Sequence, residues 1–117
     1  MSYREHESKQ LRVLFCFGVT QSFFELEPER IPEVAKEIVA AFDDLAGRFG
    51  ITVLGTMDDD ELMVGASVVW PWTAYILADC PDLDAVTKVT NVLRETRLWR
   101  YLRVEARVGR PLFFGNA

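Results

Sequence analysis

The chain is poor in the residues that most often build metal and nucleophile sites. It has one histidine and two cysteines in 117 residues, and the cysteines lack C-x-x-C spacing. The sequence therefore predicts no metal. It also lacks a G-x-S-x-G motif, a G-x-G-x-x-G motif after a strand, and a P-loop. Hydrolase and nucleotide-binding functions have no support from motifs.

Positive charge is also scarce, and long apolar runs are absent. Lysine and arginine number 13 against 18 acidic residues, which gives a net charge of −5. This balance argues against a nucleic acid partner. No apolar run reaches the roughly 18 residues that a membrane span needs. We therefore expect no membrane partner.

The two ends of the chain differ in composition from its middle. Residues 1–10 are polar and mixed in charge, unlike a signal peptide, so we expect a flexible tail and a cytoplasmic protein. His6 lies in this tail, where catalytic geometry is rarely held. Residues 11–111 have the size of a single domain, and residues 112–117 form an apolar tail. The acids at 58–61 are expected to form a solvated turn.

The pattern of apolar residues predicts six elements in the order β-α-β-β-α-β. Residues 11–19 are apolar or small at odd and even positions, which indicates a central strand with both faces covered. Apolar residues recur at intervals of three and four from Ile31 to Phe49, and Asp82 can cap a second helix. The predicted elements are strand 11–19, helix 31–48, strand 51–57, strand 72–79, helix 83–96 and strand 99–109.

This order is typical of an α+β, ferredoxin-like fold. We expect a four-stranded antiparallel sheet in the spatial order 4-1-3-2, with two helices on one face. The order sets Cys80 beside the start of the first strand, too far from Cys16 for a disulfide, so both are predicted to be buried free thiols.

The face of this sheet without helices should be exposed to water in a monomer, yet the strands are apolar on that face too. The first strand is apolar on both faces, and the third adds Trp72 and Tyr75. A second copy of the same sheet, related by a two-fold axis, would cover this face. We therefore expect a homodimer in which two sheets enclose a chamber, a dimeric α+β barrel.

The last strand alternates between two kinds of residue. One set, from Leu98 to Val108, is apolar after Arg100. The other set combines two aromatic rings with three charges, and we expect it to line the chamber: Trp99, Tyr101, Arg103, Glu105 and Arg107.

Three interpretations of these charges remain open. Glu105 can neutralise one arginine and leave the other for a ligand carboxylate. The charges can instead form a purely structural network, whose disruption would cost roughly 3–5 kcal/mol if it is buried. They can also protect a solvated edge strand. If there is chemistry, Glu105 or a tyrosine in the chamber is the candidate base, with Arg103 or Arg107 stabilising an enolate or carboxylate.

Three segments carry a resemblance to a known family: GTMDDD (55–60), WPWTAYILAD (70–79) and RLWRYLRVEARVGR (97–110). The β-α-β-β-α-β pattern resembles the dimeric α+β barrel superfamily, which includes cofactor-free monooxygenases, small isomerases and haem-degrading enzymes. The segments resemble the small IacB-type proteins of bacterial indole-3-acetic acid catabolic clusters. This resemblance implies a role in auxin breakdown beside an indole-ring oxygenase. It supplies no catalytic residues, and no ordered histidine stands where haem-binding relatives have their axial ligand, so no cofactor is expected.

The sequence thus predicts a homodimer that binds, and in one version transforms, a small aromatic acid or oxidised indole intermediate. Any activity would be like that of a cofactor-free monooxygenase or isomerase. The alternative is a non-catalytic accessory protein that docks on a partner enzyme, with purely structural charges on the last strand. The predicted ligand-binding residues are Trp72, Tyr75, Trp99, Tyr101, Arg103, Glu105 and Arg107.

Overall fold

The computed structural model describes residues 10–59, 64–65 and 72–110, and its described part contains a four-stranded antiparallel sheet. The strands are β1 (Leu11–Val19), β2 (Thr52–Asp58), β3 (Ala74–Cys80) and β4 (Leu102–Gly109). They lie in the order β2-β3-β1-β4, which is the expected order counted from the opposite edge. The α+β class and the antiparallel sheet are therefore confirmed, and the layout broadly fits a ferredoxin-like arrangement.

Four α-helices accompany the sheet in the described residues: α1 (Gln21–Phe24), α2 (Ile31–Ala41), α3 (Leu45–Phe49) and α4 (Leu83–Asn91). Short 3₁₀ turns cover Pro28–Arg30, Val92–Glu95 and Arg97–Arg100. The Asp82 carboxylate accepts a hydrogen bond of 2.8 Å from the N–H of Ala85, so this residue caps α4 as predicted.

The predicted single helix 31–48 is wrong, because the chain breaks between α2 and α3. Asp44 has φ = 50° and begins a new helix, its side chain accepting a hydrogen bond of 3.1 Å from the N–H of Gly47. The side chain of Arg48 donates to the carbonyls of Ala41 (2.8 Å) and Asp43 (2.9 Å), which satisfies carbonyls at the break. The predicted apolar stripe still faces the core, since Val34 and Leu45 are buried and Phe42 packs beside them.

The helices pack on one face of the sheet. Here the ring of Phe17 meets that of Phe42 edge to face, with 5.0 Å between centroids. Phe15 and Val89 are fully buried in the same cluster. The other members of this core include Val13, Val34, Leu45, Ile51, Ala78, Cys80, Val86, Leu93, Leu98 and Leu102. We call the opposite side of the sheet the outer face.

The cysteines are buried and free, as predicted. Cys80 pairs with Leu11 at the start of β1 and belongs to the helix-side core. Cys16 alternates with the core residues Phe15 and Phe17, so it lies on the outer face. The two thiols are therefore on opposite sides of the sheet.

Two predicted strand boundaries are wrong. The third strand begins at Ala74 rather than Trp72, and the fourth begins at Leu102 rather than Trp99. β1 ends at Val19, which pairs with Leu102, so residues 99–101 have no partner in the ladder between β1 and β4. They form the 3₁₀ turn Arg97–Arg100 instead.

Several predictions concern residues outside the described ranges. These are the tail at 1–9 with His6, the end of the acidic run at 60–61, and the tail at 112–117. Within the described ranges, none of the helices is both long enough and apolar enough to cross a bilayer.

Candidate functional site on the outer face

Strand register places four side chains of the outer face in one row across the sheet. Met57 pairs with Tyr75, Tyr75 with Cys16, and Cys16 with Glu105. Residues paired in this way share a face. Sequence periodicity alone could not place Cys16 between the predicted Tyr75 and Glu105, because that neighbourhood depends on pairing between distant strands.

The neighbouring rows complete this surface. Leu77 pairs with Leu14, which in turn pairs with Arg107, and Arg103 pairs with Gly18. At the far end the Nε of Arg12 lies 2.7 Å from Asp79 Oδ1. The hydrogen bond and charge of Asp79 raise the pKa of Arg12. The outer face is thus apolar in the middle of β1 and β3, and its charges lie along the β4 edge and at the Arg12–Asp79 end.

The two central arginines differ in their partners. Arg107 Nη2 lies 2.9 Å from Glu105 Oε2, and its Nε donates to the same oxygen at 3.1 Å. Arg103 lies over the ring of Trp72, with 5.9 Å between its Cζ and the ring centroid. In the described part of the chain no carboxylate lies within 4.0 Å of Arg103. Glu105 therefore neutralises one arginine of the pair.

The Glu105–Arg107 pair is not a buried network in a single chain. The side chain of Arg107 is 63% exposed and that of Glu105 is 44% exposed. Exposed pairs contribute about 0–1 kcal/mol. The 3–5 kcal/mol expected for a buried network therefore does not apply to one isolated subunit.

The thiol of Cys16 is 2% exposed and lies beside this pair. Burial raises its pKa, while the charge and hydrogen bonding of Arg107 lower it and the charge of Glu105 raises it. Burial is the largest of these effects, so the thiol stays protonated at neutral pH. In the described chain, the neighbours of Cys16 are a tyrosine, a carboxylate and a guanidinium.

Apolar side chains on this face remain accessible. Met57 is 60% exposed and Leu77 is 38% exposed, while Trp72 is only 9% exposed. The hydroxyl of Tyr75 lies 3.5 Å from Asp59 Oδ2 and 3.4 Å from the carbonyl of Trp72. Tyr75 and Trp72 are therefore tied together near the end of β3 that faces the β2–β3 connection.

Two of the predicted ligand-binding residues do not join this surface. Trp99 lies on the 3₁₀ turn before β4 and is 59% exposed. Tyr101 is half-buried and packs against the helix-side core. The prediction that they continue the charged row of β4 is wrong, because the strand starts after them. The structure brings together the other five: Trp72, Tyr75, Arg103, Glu105 and Arg107.

This surface can recognise anions and flat rings. In the described residues, histidine, cysteine, aspartate and glutamate nowhere form a group of three that could hold a metal ion. A guanidinium over an indole ring offers charge for a carboxylate and an apolar wall for a ring. Comparison of the chain with models of protein families, with curated proteins and with solved structures found no match in any of the three.

Proposed function

We propose that the chain forms a homodimeric α+β barrel in which the outer faces of two sheets enclose a site for a small aromatic acid. The ligand class is an indole acid or an oxidised indole intermediate, in keeping with the resemblance of segments 55–60, 70–79 and 97–110 to the IacB-type proteins of indole-3-acetic acid catabolism. This role places the protein beside a partner oxygenase in a cytoplasmic pathway.

The proposed ligand class rests on one observation, which is that Arg103 and Arg107 have different partners. Arg107 is bound to Glu105 at 2.9 Å, whereas Arg103 is stacked on Trp72 without a carboxylate among the described residues. A carboxylate on Arg103 would neutralise its charge, and the attached ring would meet Tyr75 and the small part of Trp72 that is exposed, 9% of that residue. Arginine can bind a carboxylate through two parallel hydrogen bonds.

The exposed apolar side chains support the dimer. The helices of the described residues pack on the helix side of the sheet, while Met57 is 60% exposed and Leu77 is 38% exposed on the outer face. Burial of apolar surface contributes roughly 25 cal/mol per Å². A two-fold axis would bring the outer face of one copy against the outer face of a second and cover these side chains.

The dimer is tested by charge insertion. Leu77→Lys and Met57→Lys should each turn a dimer into a monomer in sedimentation or light-scattering measurements. Leu83→Lys is the matched control, since Leu83 is 62% exposed on α4, on the helix side of the sheet. A wild-type protein that stays monomeric at high concentration contradicts the barrel.

The ligand is tested by thermal shift with indole-3-acetate, its 2-oxo derivative, phenylacetate and benzoate. A ligand at about 100 times its Kd adds about 2.7 kcal/mol to stability, or several degrees in Tm. Arg103→Ala should remove the shift, while Arg94→Ala, an exposed arginine away from the outer face, should keep it. A shift that survives Arg103→Ala contradicts the site.

The same surface offers a base for cofactor-free chemistry. Glu105 would take a proton from the carbon next to the ligand carboxylate, and a nearby arginine would stabilise the enolate. The test is exchange of that proton for deuterium, followed by NMR of indole-3-acetate in heavy water. Exchange should depend on Glu105 and stop in Glu105→Gln. If the wild-type protein catalyses no exchange, the proposed proton abstraction is wrong, and only the binding function remains.

A second candidate is a non-catalytic accessory protein that docks on a partner oxygenase. The observation that favours it is the ion pair of Glu105 with Arg107, which neutralises both groups without a ligand. Capture of an oxygenase on the tagged protein from cells growing on indole-3-acetate, together with no thermal shift for any acid, would favour this function.

A further inference from the structure

A second group of arginines lies on the helix side of the molecule, away from the outer face. Arg30 precedes α2, and Arg97 and Arg100 belong to the 3₁₀ turn before β4. They line a cleft of about 730 Å³ between α2 and this turn, together with Glu37 and Tyr101. This volume is in the range of small-molecule sites.

The geometry of the turn sets two of these arginines side by side. A 3₁₀ helix has three residues per turn, so side chains at positions i and i+3 eclipse each other. Arg97 and Arg100 have this spacing, and both line the same cleft. In the described chain neither has an ion pair with a carboxylate. Like charges on neighbouring side chains repel each other, and an anion bound between them relieves that repulsion.

The backbone that carries these arginines is anchored rather than loose. Leu98, between them, is 5% exposed and belongs to the core. The hydroxyl of Thr96 accepts a hydrogen bond of 3.2 Å from the N–H of Leu98 and begins the turn. At the other end, the N–H of Tyr101 donates to the carbonyl of Leu98 at 2.8 Å.

The turn is also tied to the end of β1. The N–H of Thr20 donates to the carbonyl of Tyr101 at 3.0 Å, and the Thr20 hydroxyl donates to the carbonyl of Arg100. A backbone held in this way reduces the entropy lost when its side chains bind a ligand. The backbone that carries Arg97 and Arg100 is thus held in place by hydrogen bonds.

The remaining charges of the cleft leave it positive. Among the described residues that line the cleft, Glu37 is the one carboxylate, against three arginines. Arg30 has a second carboxylate nearby, with its Nε 3.7 Å from Glu33 Oε2 on the exposed side of α2. The whole chain carries −5, so this local positive charge stands out from its surroundings.

From this geometry we propose that the cleft between Arg30, Arg97 and Arg100 binds a small organic anion that carries at least two negative charges. The charged groups are phosphate or carboxylate, since both accept hydrogen bonds from guanidinium in a planar fork. Two charges are needed because Arg97 and Arg100 each lack a partner in the described residues. This site is separate from the Arg103 site and does not depend on the proposed function.

An exposed tryptophan lies next to this cleft. Arg100 and Tyr101 also line a neighbouring cleft of about 590 Å³, which contains the exposed Trp99. The guanidinium of Arg100 lies 5.9 Å from the Trp99 ring centroid. An anion that also carries a flat ring can therefore place the ring on Trp99 while its charges meet the arginines.

The test uses isothermal titration of the full chain with inorganic pyrophosphate and with citrate, at constant ionic strength. Arg97→Ala and Arg100→Ala should each weaken binding at least tenfold. Arg94→Ala is the matched control, because Arg94 lies three residues before Arg97 but does not line the cleft. Circular dichroism of each variant verifies that the sheet and helices are retained.

Three outcomes would overturn the proposal. The first is no binding of either probe at millimolar concentration. The second is an equal loss of binding in Arg94→Ala, which would indicate a diffuse charge effect. The third is binding of a glutamate-rich peptide but of neither small probe, which would make the surface a protein-docking site.

The outer-face variant Arg103→Ala separates this proposal from the first one. It should leave pyrophosphate binding unchanged within twofold while removing the thermal shift with aromatic acids. Loss of the aromatic-acid shift in Arg100→Ala, with the shift retained in Arg103→Ala, would refute the outer-face site and extend the ligand class of the cleft.

Discussion

Arg107 and Glu105 are joined by two contacts to a single carboxylate oxygen, at 2.9 Å from Nη2 and at 3.1 Å from Nε. They stand two residues apart on β4 and point to the same face, which a period of two dictates. The pair is more than 40% exposed on both side chains in one chain. Its energy therefore depends on what covers the outer face.

The variant Glu105→Gln tests whether a second copy covers the outer face. In a monomer the substitution should lower the free energy of unfolding by at most about 1 kcal/mol, because the pair is exposed. In a dimer whose interface buries Arg107, the loss should be about 3–5 kcal/mol. Urea unfolding at two protein concentrations distinguishes these cases. The control is Asp84→Asn, which breaks an exposed pair with Lys88 at 3.0 Å and should cost about 0.5 kcal/mol or less.

The same substitution should lower the pKa of Cys16. The charge of Glu105 raises this pKa, and Arg107 lowers it. Removal of the carboxylate leaves only the lowering charge, so the thiolate should form at lower pH than in wild type. Thiolate absorbance near 240 nm, followed against pH in a Cys80→Ala background, measures the shift. An unchanged or higher pKa would contradict the placement of Cys16 beside the ion pair.

Stability should fall at alkaline pH because of both cysteines. Burial is the largest effect on each thiol and raises the pKa of Cys16 and Cys80 in the folded chain. The unfolded chain releases these protons from about pH 8.5 upward, before the folded chain does. The free energy of unfolding should therefore be insensitive to the thiols below that pH and decrease above it.

Cys80→Ala is the variant that checks this alkaline effect. It removes one of the two thiols and should reduce the slope of stability against pH above about pH 8.5. Its overall stability should also be lower, since it leaves a space in the core beside Leu11. Urea unfolding at several pH values separates the slope from the constant loss. An unaltered slope would show that the alkaline decrease has another origin.

Asp82→Ala should destabilise the protein by about 1 kcal/mol, within a range of about 0.5–2. The carboxylate of Asp82 accepts from the N–H of Ala85 at 2.8 Å and caps α4, whose residues Val86 and Val89 are in the core. Asp82→Asn should retain most of the stability, because asparagine caps helices as well as aspartate does. Thermal unfolding of the two variants measures the difference. Equal losses would indicate that charge rather than capping matters.

Local patterns in the sequence were sufficient for much of the sheet. The run of apolar and small residues predicted β1 at its observed bounds, Leu11–Val19, and its apolar character on both faces predicted a central position. The strand order followed from the order of elements, and it correctly set Cys80 beside Leu11. These features depend on neighbours in sequence and on a small set of allowed topologies.

Other features depended on side-chain contacts and strand pairing that the apolar pattern does not show. Helix α2 stops at Ala41, where Arg48 binds the carbonyls of Ala41 and Asp43 and Asp44 begins a new helix. The apolar stripe does not reveal this break. The regular alternation from Trp99 onward predicted one long strand. The ladder with β1 nevertheless ends at Leu102.

The sequence by itself therefore determined the fold class and the buried thiols through the order of its elements. It determined the alternating charges of β4 through the period of two within one strand. The tertiary structure decided which charges face which partner. It put Arg103 on Trp72, set Cys16 between Tyr75 and Glu105, and placed Trp99 beside a different cleft. The physical reason is that a strand extends only where a neighbouring strand accepts its hydrogen bonds. The end of β1, and not the alternation of β4, sets where the outer face stops.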